Sequence, residues 1–211
     1  MTRRVLIVDD HEVLRDGVRK LLDEQPGAIS CGEAGTPDEA LRMASTQEWD
    51  AVVLDLSLAG RSGLDVLKQL KMIRPRLPIL VLTIHSEEQY ARRAFKAGAA
   101  GFITKDSPRA ELSKAILKVL DGGKYLSPAL AEKLIVDLER GVDRTPDQTL
   151  SDREFQVMRL IASGKTLSEI ADLLSLSDKT ISTYRARLME KMGMRTNAEL
   201  TRYAILNKLV D

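Results

Sequence analysis

The first half of this 211-residue chain alternates short apolar runs with helix-length amphipathic segments. The strand-like segments are VLIV, AISCGEA, AVVL, PILVLT and GFIT, and most of them are apolar almost without interruption. Strands of that kind are typical of a parallel sheet that is covered on both faces. The alternation of five such strands with helices therefore predicts an α/β domain built on a five-stranded parallel sheet.

Polar side chains stand where four of these strands are predicted to end. Asp9 and Asp10 follow the first strand, Asp55 follows the third, Thr83 closes the fourth and Lys105 follows the fifth. Because ligands of an open parallel sheet bind outside the carboxyl ends of its strands, we expect these five residues to meet in one pocket. An aspartate pair after a strand is equally consistent with a helix cap, so the hypothesis depends on the whole set.

The residue types in this pocket indicate metal and phosphoryl chemistry. Three carboxylates that lie close together repel one another, which raises a pKa or requires a counter-cation. Mg²⁺ meets that requirement because it binds oxygen ligands and usually takes only one or two protein carboxylates. Asp55 is then suited to be a nucleophile, since carboxylates form aspartyl-phosphate intermediates. Lys105 would pair with the phosphoryl group as a point charge, and Thr83 would hydrogen-bond one of its oxygens.

Composition excludes few classes of protein. The net charge of +1 argues neither for nor against a nucleic-acid partner. No stretch approaches the roughly 18 uninterrupted apolar residues of a membrane span, and aspartates follow a very short apolar run at the N-terminus, so we expect no signal peptide. Cys31 is the only cysteine and cannot form an intrachain disulfide, which predicts a reducing, cytoplasmic location and a packing role for this residue.

A change of secondary-structure pattern along the chain, with a polar segment containing Gly and Pro between the two parts, predicts two domains. Residues 1–123 would form the α/β domain, in the flavodoxin-like strand order 2-1-3-4-5. A linker at 124–147 would include a helix near 128–140, followed by the polar segment GVDRTPDQT, which has no periodicity. Residues 148–211 would form an all-α domain. In the first helix of the chain we predict an apolar stripe made of Val13, Leu14, Val18, Leu21 and Leu22.

The predicted α domain carries clear signals for four helix starts. Ser151, Thr166 and Thr196 are each followed three residues later by glutamate, a pattern that predicts capping boxes. Ser177 predicts a further helix that lacks this glutamate. The apolar positions of the last helix would serve internal packing or a contact between two copies: Leu200, Tyr203, Ala204 and Leu206.

Residues 166–192 have the layout of a helix-turn-helix, whose second helix we predict over Lys179–Met192. Ile181, Leu188 and Met192 would face inward. The N-terminal part of such a helix contacts base edges in the major groove of DNA. The candidate DNA contacts are Lys179, Thr180, Ser182, Thr183, Arg185 and Arg187. The excess of basic residues in this domain is small, and a solvated helix face explains it as well.

The order LIVDD, VVLDL, LVLT and GFITK resembles the receiver domain of two-component response regulators, over about residues 1–123. The resemblance implies that Asp55 accepts phosphate from a sensor histidine kinase. It implies that Mg²⁺ is bound by Asp10, Asp55 and the backbone carbonyl of Ser57, with Asp9 in the outer shell. Thr83 and Phe102 match the switch hydroxyl and the switch aromatic residue of that family.

Two residues depart from the receiver pattern. Ile84 follows the switch threonine, where receivers often have a small residue, so we expect narrower access to the phosphate. Asp106 follows Lys105, where many receivers have proline and a cis peptide bond, and a cis bond before a non-proline residue costs about 2.5–4 kcal/mol. His11 and His85 flank the predicted pocket in sequence, and we assign both to loop or helix positions rather than to the metal.

The segment from LSDREF to EKMG resembles the LuxR-type helix-turn-helix of NarL/FixJ-family regulators, and the resemblance covers nearly all of residues 150–205. The second-helix sequence KTISTYRAR is similar to the GacA/UvrY or BvgA branch. Ser182 and Tyr184 replace the usual lysine and histidine, which affects sequence preference more than DNA binding. Glu154 matches the acidic residue of the first helix, with a structural role.

These patterns together predict a phosphorylation-controlled DNA-binding transcription regulator that acts as a homodimer on double-stranded DNA. We expect no membrane association, and no enzymatic activity beyond self-catalysed phosphate uptake and slow self-dephosphorylation. Two alternatives remain open. In the first, the helical domain binds another protein instead of DNA. In the second, Asp55 is the nucleophile of a phosphatase, although no second catalytic acid is evident in the sequence.

Overall fold

The computed structural model describes residues 2–25, 27–58, 61–84, 87–128, 130–132, 145–207 and 209–210, with the side chains of residues 87–89 outside the description. The chain divides into two compact units, Met1–Ile135 and Val136–Asp211. Within the described part of the chain, no helix combines the length and the apolar content that a membrane span requires.

The first unit contains a five-stranded sheet in which every neighbouring pair is parallel. The strand order is β2-β1-β3-β4-β5, which confirms the predicted order. The strands are β1 (Arg3–Val8), β2 (Ile29–Ala34), β3 (Ala51–Leu54), β4 (Ile79–Thr83) and β5 (Gly101–Thr104). The helices between and after them are α1 (Glu12–Asp23), α2 (Pro37–Thr46), α3 (Gly63–Ile73), α4 (Glu87–Lys96) and α5 (Arg109–Leu120).

Both faces of the sheet are buried, as the uninterrupted apolar strands predict. Val5, Ile7 and Val53 pack with side chains of α1 and α5 in one buried cluster. Successive side chains of a strand point to opposite faces, and the alternate residues Leu6 and Val52 are also fully buried. Helices therefore cover the sheet on both sides, and only its edges are left for ligands.

The prediction of the apolar stripe on α1 is wrong at one residue, Val13. Val13 is 87% exposed, whereas Val18, Leu21 and Leu22 are buried and Leu14 packs against the core. With 3.6 residues per turn, Val13 lies about 140° around the helix from Val18. Apolar character alone assigned it to the stripe, but its position in the helical period places it on the solvent side.

The second unit consists of four α-helices preceded by one turn of 3₁₀-helix at Pro146–Thr149, as far as the described residues extend. The helices are α6 (Asp152–Ala162), α7 (Leu167–Leu174), α8 (Asp178–Met192) and α9 (Asn197–Leu206). Helix α6 packs against α8 and α9, and α7 packs against α8. The all-α prediction is confirmed. In α9, Leu200 and Ala204 are buried, while Leu206 is 71% exposed.

The predicted capping boxes form completely at two of the three positions. At Ser151 and Thr166 the side chain accepts the N–H three residues later, and the glutamate accepts the N–H of the cap residue. At Thr196 only the first bond forms, because Glu199 accepts the N–H of Arg195 instead. The cap φ angle is −129° at Thr196 but −62° and −71° at the complete boxes. The backbone angle thus decides which N–H the glutamate reaches.

The last residues of the polar segment before α6 make contacts that their composition does not predict. Asp147, in the 3₁₀-helix, is fully buried and accepts a 2.7 Å hydrogen bond from the Tyr203 hydroxyl of α9. Burial and the neighbouring carboxylate raise the pKa of Tyr203. These residues tie the end of the predicted linker into the second unit. Of the helix predicted near 128–140, residues 128 and 130–132 are helical, and the others lie outside the described residues.

Candidate functional site

The carboxyl edge of the sheet brings together the acidic residues that the sequence predicts to meet. Val8 of β1 pairs with Leu54 of β3, and the Asp55 N–H donates to the Val8 carbonyl at 2.9 Å. Asp9 and Asp55 are therefore the first residues beyond two adjacent strands. Asp9, Asp10, His11 and Asp55 each offer a ligand atom, and these atoms all lie within 4.8 Å of one another.

Lys105 reaches into this cluster from the end of β5. Its Nζ lies 2.7 Å from Asp9 Oδ2 and 2.7 Å from Asp55 Oδ2. The two carboxylate side chains are 2% and 0% exposed, and the lysine side chain is 11% exposed. One ammonium group thus faces two buried carboxylates, so the pocket keeps an excess of negative charge.

The pKa shifts of Asp55 and Lys105 follow from this excess of negative charge. Burial raises the pKa of Asp55, and the charge of Asp9 adds to that rise, so its contacts with Lys105 and the Ser57 N–H only partly lower it. Burial lowers the pKa of Lys105, but hydrogen bonds with Asp55 and Asp9 outweigh that effect and hold the pKa above its usual range. Lys105 therefore stays charged, while Asp55 is a carboxylate that one ammonium does not fully compensate.

The loop after β3 wraps around the Asp55 carboxylate. The Ser57 N–H donates to Asp55 Oδ1 at 3.0 Å. Helix α3 begins close against this loop, since a Cβ on Gly63 would lie 2.3 Å from the Cα of Leu56 and 2.8 Å from the Asp55 carbonyl oxygen. Any larger residue at position 63 would push α3 away from the loop that orients Asp55.

His11 lies beside the pocket, at an exposed loop position directly before α1, as the sequence interpretation expected. Its ring is 68% exposed, yet Nδ1 lies 2.8 Å from Asp10 Oδ1 and 3.1 Å from Asp9 Oδ1. Its position directly after the aspartate pair in the sequence indicated that it would lie beside the pocket. The donor set is nonetheless rich in carboxylate oxygens with surplus negative charge, which fits a hard cation such as Mg²⁺ better than a nitrogen-seeking metal.

Arg15 holds the β1–α1 connection in place beside the cluster. Its Nη1 donates to the Asp9 carbonyl at 2.7 Å, and its Nε pairs with Glu33 of β2 at 3.1 Å. The turn that carries Asp9 and Asp10 is therefore fixed from the adjacent strand. This contact joins residues on three elements, and the sequence pattern alone did not indicate it.

The predicted switch residues lie in the two strands at the other side of Asp55. Thr83, at the end of β4, and Phe102, in β5, are both fully buried. The backbone N–H of Lys105 donates to the Thr83 carbonyl at 2.8 Å, which ties the two strand ends together. Their roles in switching remain predictions.

The two departures from the receiver pattern have visible outcomes. Ile84 is 69% exposed, so its side chain is directed largely to solvent and not packed into the pocket. Among the described residues every peptide bond is trans, including the one between Lys105 and Asp106. His85 lies outside the described residues.

Helix α8 presents the candidate DNA contacts on the second unit. Ile181 and Leu188 are fully buried and Met192 is nearly so, as predicted. Lys179, Ser182, Thr183 and Arg187 are exposed, while Thr180 and Arg185 are partly buried. The turn before α8 passes through Ser175, whose φ of 51° is left-handed.

Several side chains of α8 already have partners within the unit. The Thr183 hydroxyl donates to the Lys179 carbonyl at 2.9 Å, and the Thr180 and Ser177 hydroxyls lie 2.8 Å apart. The Arg185 Nε donates to Asn197 Oδ1 of α9 at 2.8 Å. At the start of α8, Ser168 of α7 donates to the Asp178 carboxylate at 2.7 Å, which fixes the angle between the two helices at their turn.

Glu154 has the structural role that the sequence predicts, and it also binds a residue of α8. Its carboxylate accepts the Ser151 N–H at 2.7 Å and pairs with Lys191 Nζ at 2.6 Å. Burial raises the pKa of Glu154, but the bonds from Lys191 and Ser151 together outweigh it and hold the pKa below its usual range. The charged form of Glu154 therefore stabilises the packing of α6 against α8.

We expect this carboxylate to make the second unit sensitive to acid. A pKa that folding depresses contributes stability above the unfolded value, about 4.3 for glutamate, and that stability is lost as pH falls through the folded value. Glu154→Gln should lower the free energy of unfolding by about 1.5 kcal/mol at pH 7, and the difference from wild type should shrink steadily below pH ~4.3. Thermal unfolding from pH 7 to pH 3 measures it.

Glu169→Gln is the matched control for this measurement. Glu169 completes the second capping box, but it is exposed and no ion pair is recorded for it within the described ranges. We expect a smaller effect at neutral pH. An unchanged gap between wild type and Glu154→Gln down to pH 3 would contradict the assignment.

Comparison with known proteins identifies both units. The family model of the response regulator receiver domain matches residues 5–117, and that of the bacterial regulatory proteins of the luxR family matches residues 148–204. This chain belongs to the response regulators. The response regulator GacA of Pseudomonas viridiflava is 34% identical over 209 residues, 99% of this chain and 98% of GacA. UvrY of Escherichia coli K12 is 34% identical over 208 residues, 98% of this chain and 95% of UvrY.

Solved response regulator structures support the same assignment. RcsB of Salmonella enterica serovar Typhimurium, bound to promoter rprA in the presence of phosphomimetic BeF₃⁻, is 26% identical and covers 96% of this chain and 98% of its own, with a TM-score of 0.66. A LuxR-family two-component response regulator from Aurantimonas is 36% identical over 65% of this chain and 98% of its own, with a TM-score of 0.60. The family resemblance inferred from the motifs, including the GacA and UvrY branch, is confirmed.

Proposed function

We propose that Asp55 is the phosphoacceptor of this response regulator and that its phosphorylation by a histidine kinase controls DNA binding by the second unit. The observation that carries the proposal is the buried Asp55 carboxylate, held between Lys105 and the Ser57 N–H at the carboxyl edge of the sheet. Burial and the excess of negative charge leave this carboxylate less solvated and less compensated than a surface aspartate. It is therefore the group best placed to attack a phosphoryl donor.

Within this proposal, Asp10, Asp55 and the backbone carbonyl of Ser57 would hold Mg²⁺, with Asp9 in the outer shell. The bound ion would supply positive charge against the phosphate oxygens. Lys105 already touches both carboxylates and would turn one of its donors to the phosphoryl group. The Arg15 bond to the Asp9 carbonyl would keep the aspartate pair in place while the charge of Asp55 changes.

Phosphorylation would change the local charge more than any other event at this edge. It adds roughly −1.5 to −2 charge and three acceptor oxygens. Thr83, at the end of β4, supplies the hydroxyl that would turn towards those oxygens, and the buried Phe102 would respond to the space that it leaves. A change at these two residues would shift the surface around α4 and β5 and so alter how two copies of the chain meet.

The second unit would bind duplex DNA with α8 in the major groove. The proposed contacts are Lys179, Thr180, Ser182, Thr183, Arg185 and Arg187. RcsB structures bound to promoter DNA, and a structure of two RcsB dimers on DNA, support both the ligand and a dimeric active form. Ile205 and Leu206 at the end of α9 are more than half exposed and offer apolar surface for a contact between copies.

We infer a receiver domain at 1–123, a linker at 124–147 and a DNA-binding domain at 148–211. Asp147 is buried and accepts a hydrogen bond from Tyr203 of α9, which supports beginning a fragment for DNA-binding studies before this residue. Phosphate turnover would be limited to self-catalysed uptake and slow self-hydrolysis. Cys31 is half-buried, and burial raises the pKa of its thiol to about 11, which supports a packing role. Because this single cysteine cannot form an intrachain disulfide, we infer a reducing, cytoplasmic setting.

The test is DNA binding by the full chain with and without a phosphodonor. A duplex would be selected from a random-sequence pool with protein treated with acetyl phosphate and Mg²⁺, and binding would be titrated at several salt concentrations. We expect tighter binding after treatment and an affinity that falls linearly on logarithmic axes as salt rises. If neither the treated nor the untreated protein binds duplex DNA at low salt, the alternative is favoured in which the helical unit binds another protein.

A further inference from the structure

Arg185 differs in position from the other candidate DNA contacts of α8. It lies one turn after Ile181 and three residues before Leu188, and both of those residues are fully buried. At about 100° per residue, its Cα faces the inner margin of the helix, whereas Lys179 and Thr183 lie on the opposite, exposed side. Arg185 is partly buried in agreement with this position. The face of α8 that can enter a groove is therefore not the face that carries Arg185.

The Arg185 side chain is held by a residue of the next helix. Its Nε donates to Oδ1 of Asn197, the first residue of α9, at 2.8 Å. A guanidinium group has five N–H donors, so this bond leaves the four terminal donors available. For Arg185, Asn197 is the one partner recorded among the described residues.

The partner of Arg185 is neutral, which leaves the full positive charge in place. Some arginines of this chain are paired with carboxylates, such as Arg15 with Glu33 and Arg74 with Glu48, whereas Arg4 binds the neutral Gln47 side chain as Arg185 binds Asn197. A guanidinium that is positioned by an amide, at the flank of an exposed helix, keeps its charge for another anion. Phosphate oxygens flank any helix that lies in the major groove, and contacts to them position a protein without reading sequence.

We propose that Arg185 contacts a backbone phosphate of DNA and that Asn197 is the positioning residue that orients its guanidinium group. The inference rests on the proposed DNA binding and divides the contacts of α8 into two kinds. Arg185 provides sequence-independent attraction. Base reading falls to exposed side chains further around the helix, among which Ser182 has no recorded side-chain partner within the described ranges.

The experiment uses the full chain and two duplexes of equal length, one selected by wild type from a random pool and one with the same bases shuffled. Binding is titrated from low to moderate salt for wild type, Arg185→Gln, Asn197→Ala, Asn197→Asp and Ser182→Ala, with thermal unfolding as the check on folding. Arg185→Gln should weaken both duplexes by the same factor and reduce the slope of log affinity against log salt by about 0.9, the value for one phosphate contact.

The two Asn197 variants separate a positioning role from a merely structural one. Asn197→Ala should weaken both duplexes, and adding it to Arg185→Gln should cause no further loss, because both changes remove the same interaction. Asn197→Asp keeps the acceptor but neutralises the guanidinium charge, so the salt slope should fall as in Arg185→Gln. A structural tether alone would be fully restored by aspartate, with a wild-type slope.

Ser182→Ala is the matched control at an exposed position of α8. It should reduce the preference for the selected duplex while the salt slope stays at the wild-type value. The proposal is overturned if Arg185→Gln loses only the selected duplex with an unchanged slope, or if both Asn197 variants behave as wild type. Wild-type protein that binds neither duplex at low salt would remove this proposal together with the proposed function, whereas the other outcomes leave DNA binding intact.

Discussion

Asp55→Asn is expected to abolish covalent phosphate uptake by this response regulator. The amide occupies the same space and can still accept the Ser57 N–H that the carboxylate accepts at 3.0 Å. It has no anionic oxygen to attack a phosphoryl donor, and it removes one charge from the proposed Mg²⁺ site. Intact-mass measurement after incubation with acetyl phosphate and Mg²⁺ should show the added phosphoryl group in wild type and an unchanged mass in the variant.

Asp106→Asn is a suitable control for this result. Asp106 is exposed and directly follows Lys105, but it is not part of the acidic cluster. It should take up phosphate like wild type. An Asp55→Asn chain that still gains the phosphoryl mass would show that another residue is the acceptor.

Asp55→Asn should also lose the effect of the phosphodonor on DNA binding. Moving a two-state equilibrium from 1:99 to 99:1 requires about 5.5 kcal/mol of differential stabilisation. In the proposed site, a phosphoryl group bound by Lys105, a metal ion and the Thr83 hydroxyl would supply much of that energy. Without it the chain should keep the affinity of the untreated protein.

Lys105→Met should cause the largest loss of stability among substitutions at the acidic edge. The change keeps the length of the side chain but leaves Asp9 and Asp55, both almost completely buried, without their shared ammonium group. Breaking a buried ion pair by removal of one partner costs about 3–5 kcal/mol. Urea unfolding monitored by circular dichroism should show this loss for the first unit.

Mg²⁺ should restore part of that loss, because a cation that binds only the folded state stabilises it by mass action. Lys71→Met is the matched control. Lys71 Nζ donates to the Leu77 carbonyl at 3.0 Å and has no carboxylate partner among the described residues, so Mg²⁺ should not restore the stability of Lys71→Met. If Lys105→Met unfolds at the wild-type urea concentration, the two buried carboxylates do not depend on this ammonium group.

Local sequence patterns predicted the structure well where a hydrophobic period or a helix-capping pattern alone decides the local structure. The apolar strands and their parallel order followed from uninterrupted runs and chain alternation. The same reasoning failed at Val13, where apolar character was counted without the helical angle. It failed in part at Thr196, because the cap backbone angle is a property of the approaching chain and not of the residue pattern.

The sequence by itself determined the kinds of elements, their order, and the placing of acidic, hydroxyl and basic residues at strand ends, because hydrophobic period and chain direction are local properties. Only the tertiary structure decided which atoms meet. Lys105 bridges Asp9 and Asp55, and Arg185 binds Asn197. Such contacts depend on rotamers and on the spacing of elements that are distant in sequence, and no periodicity in the chain encodes that spacing.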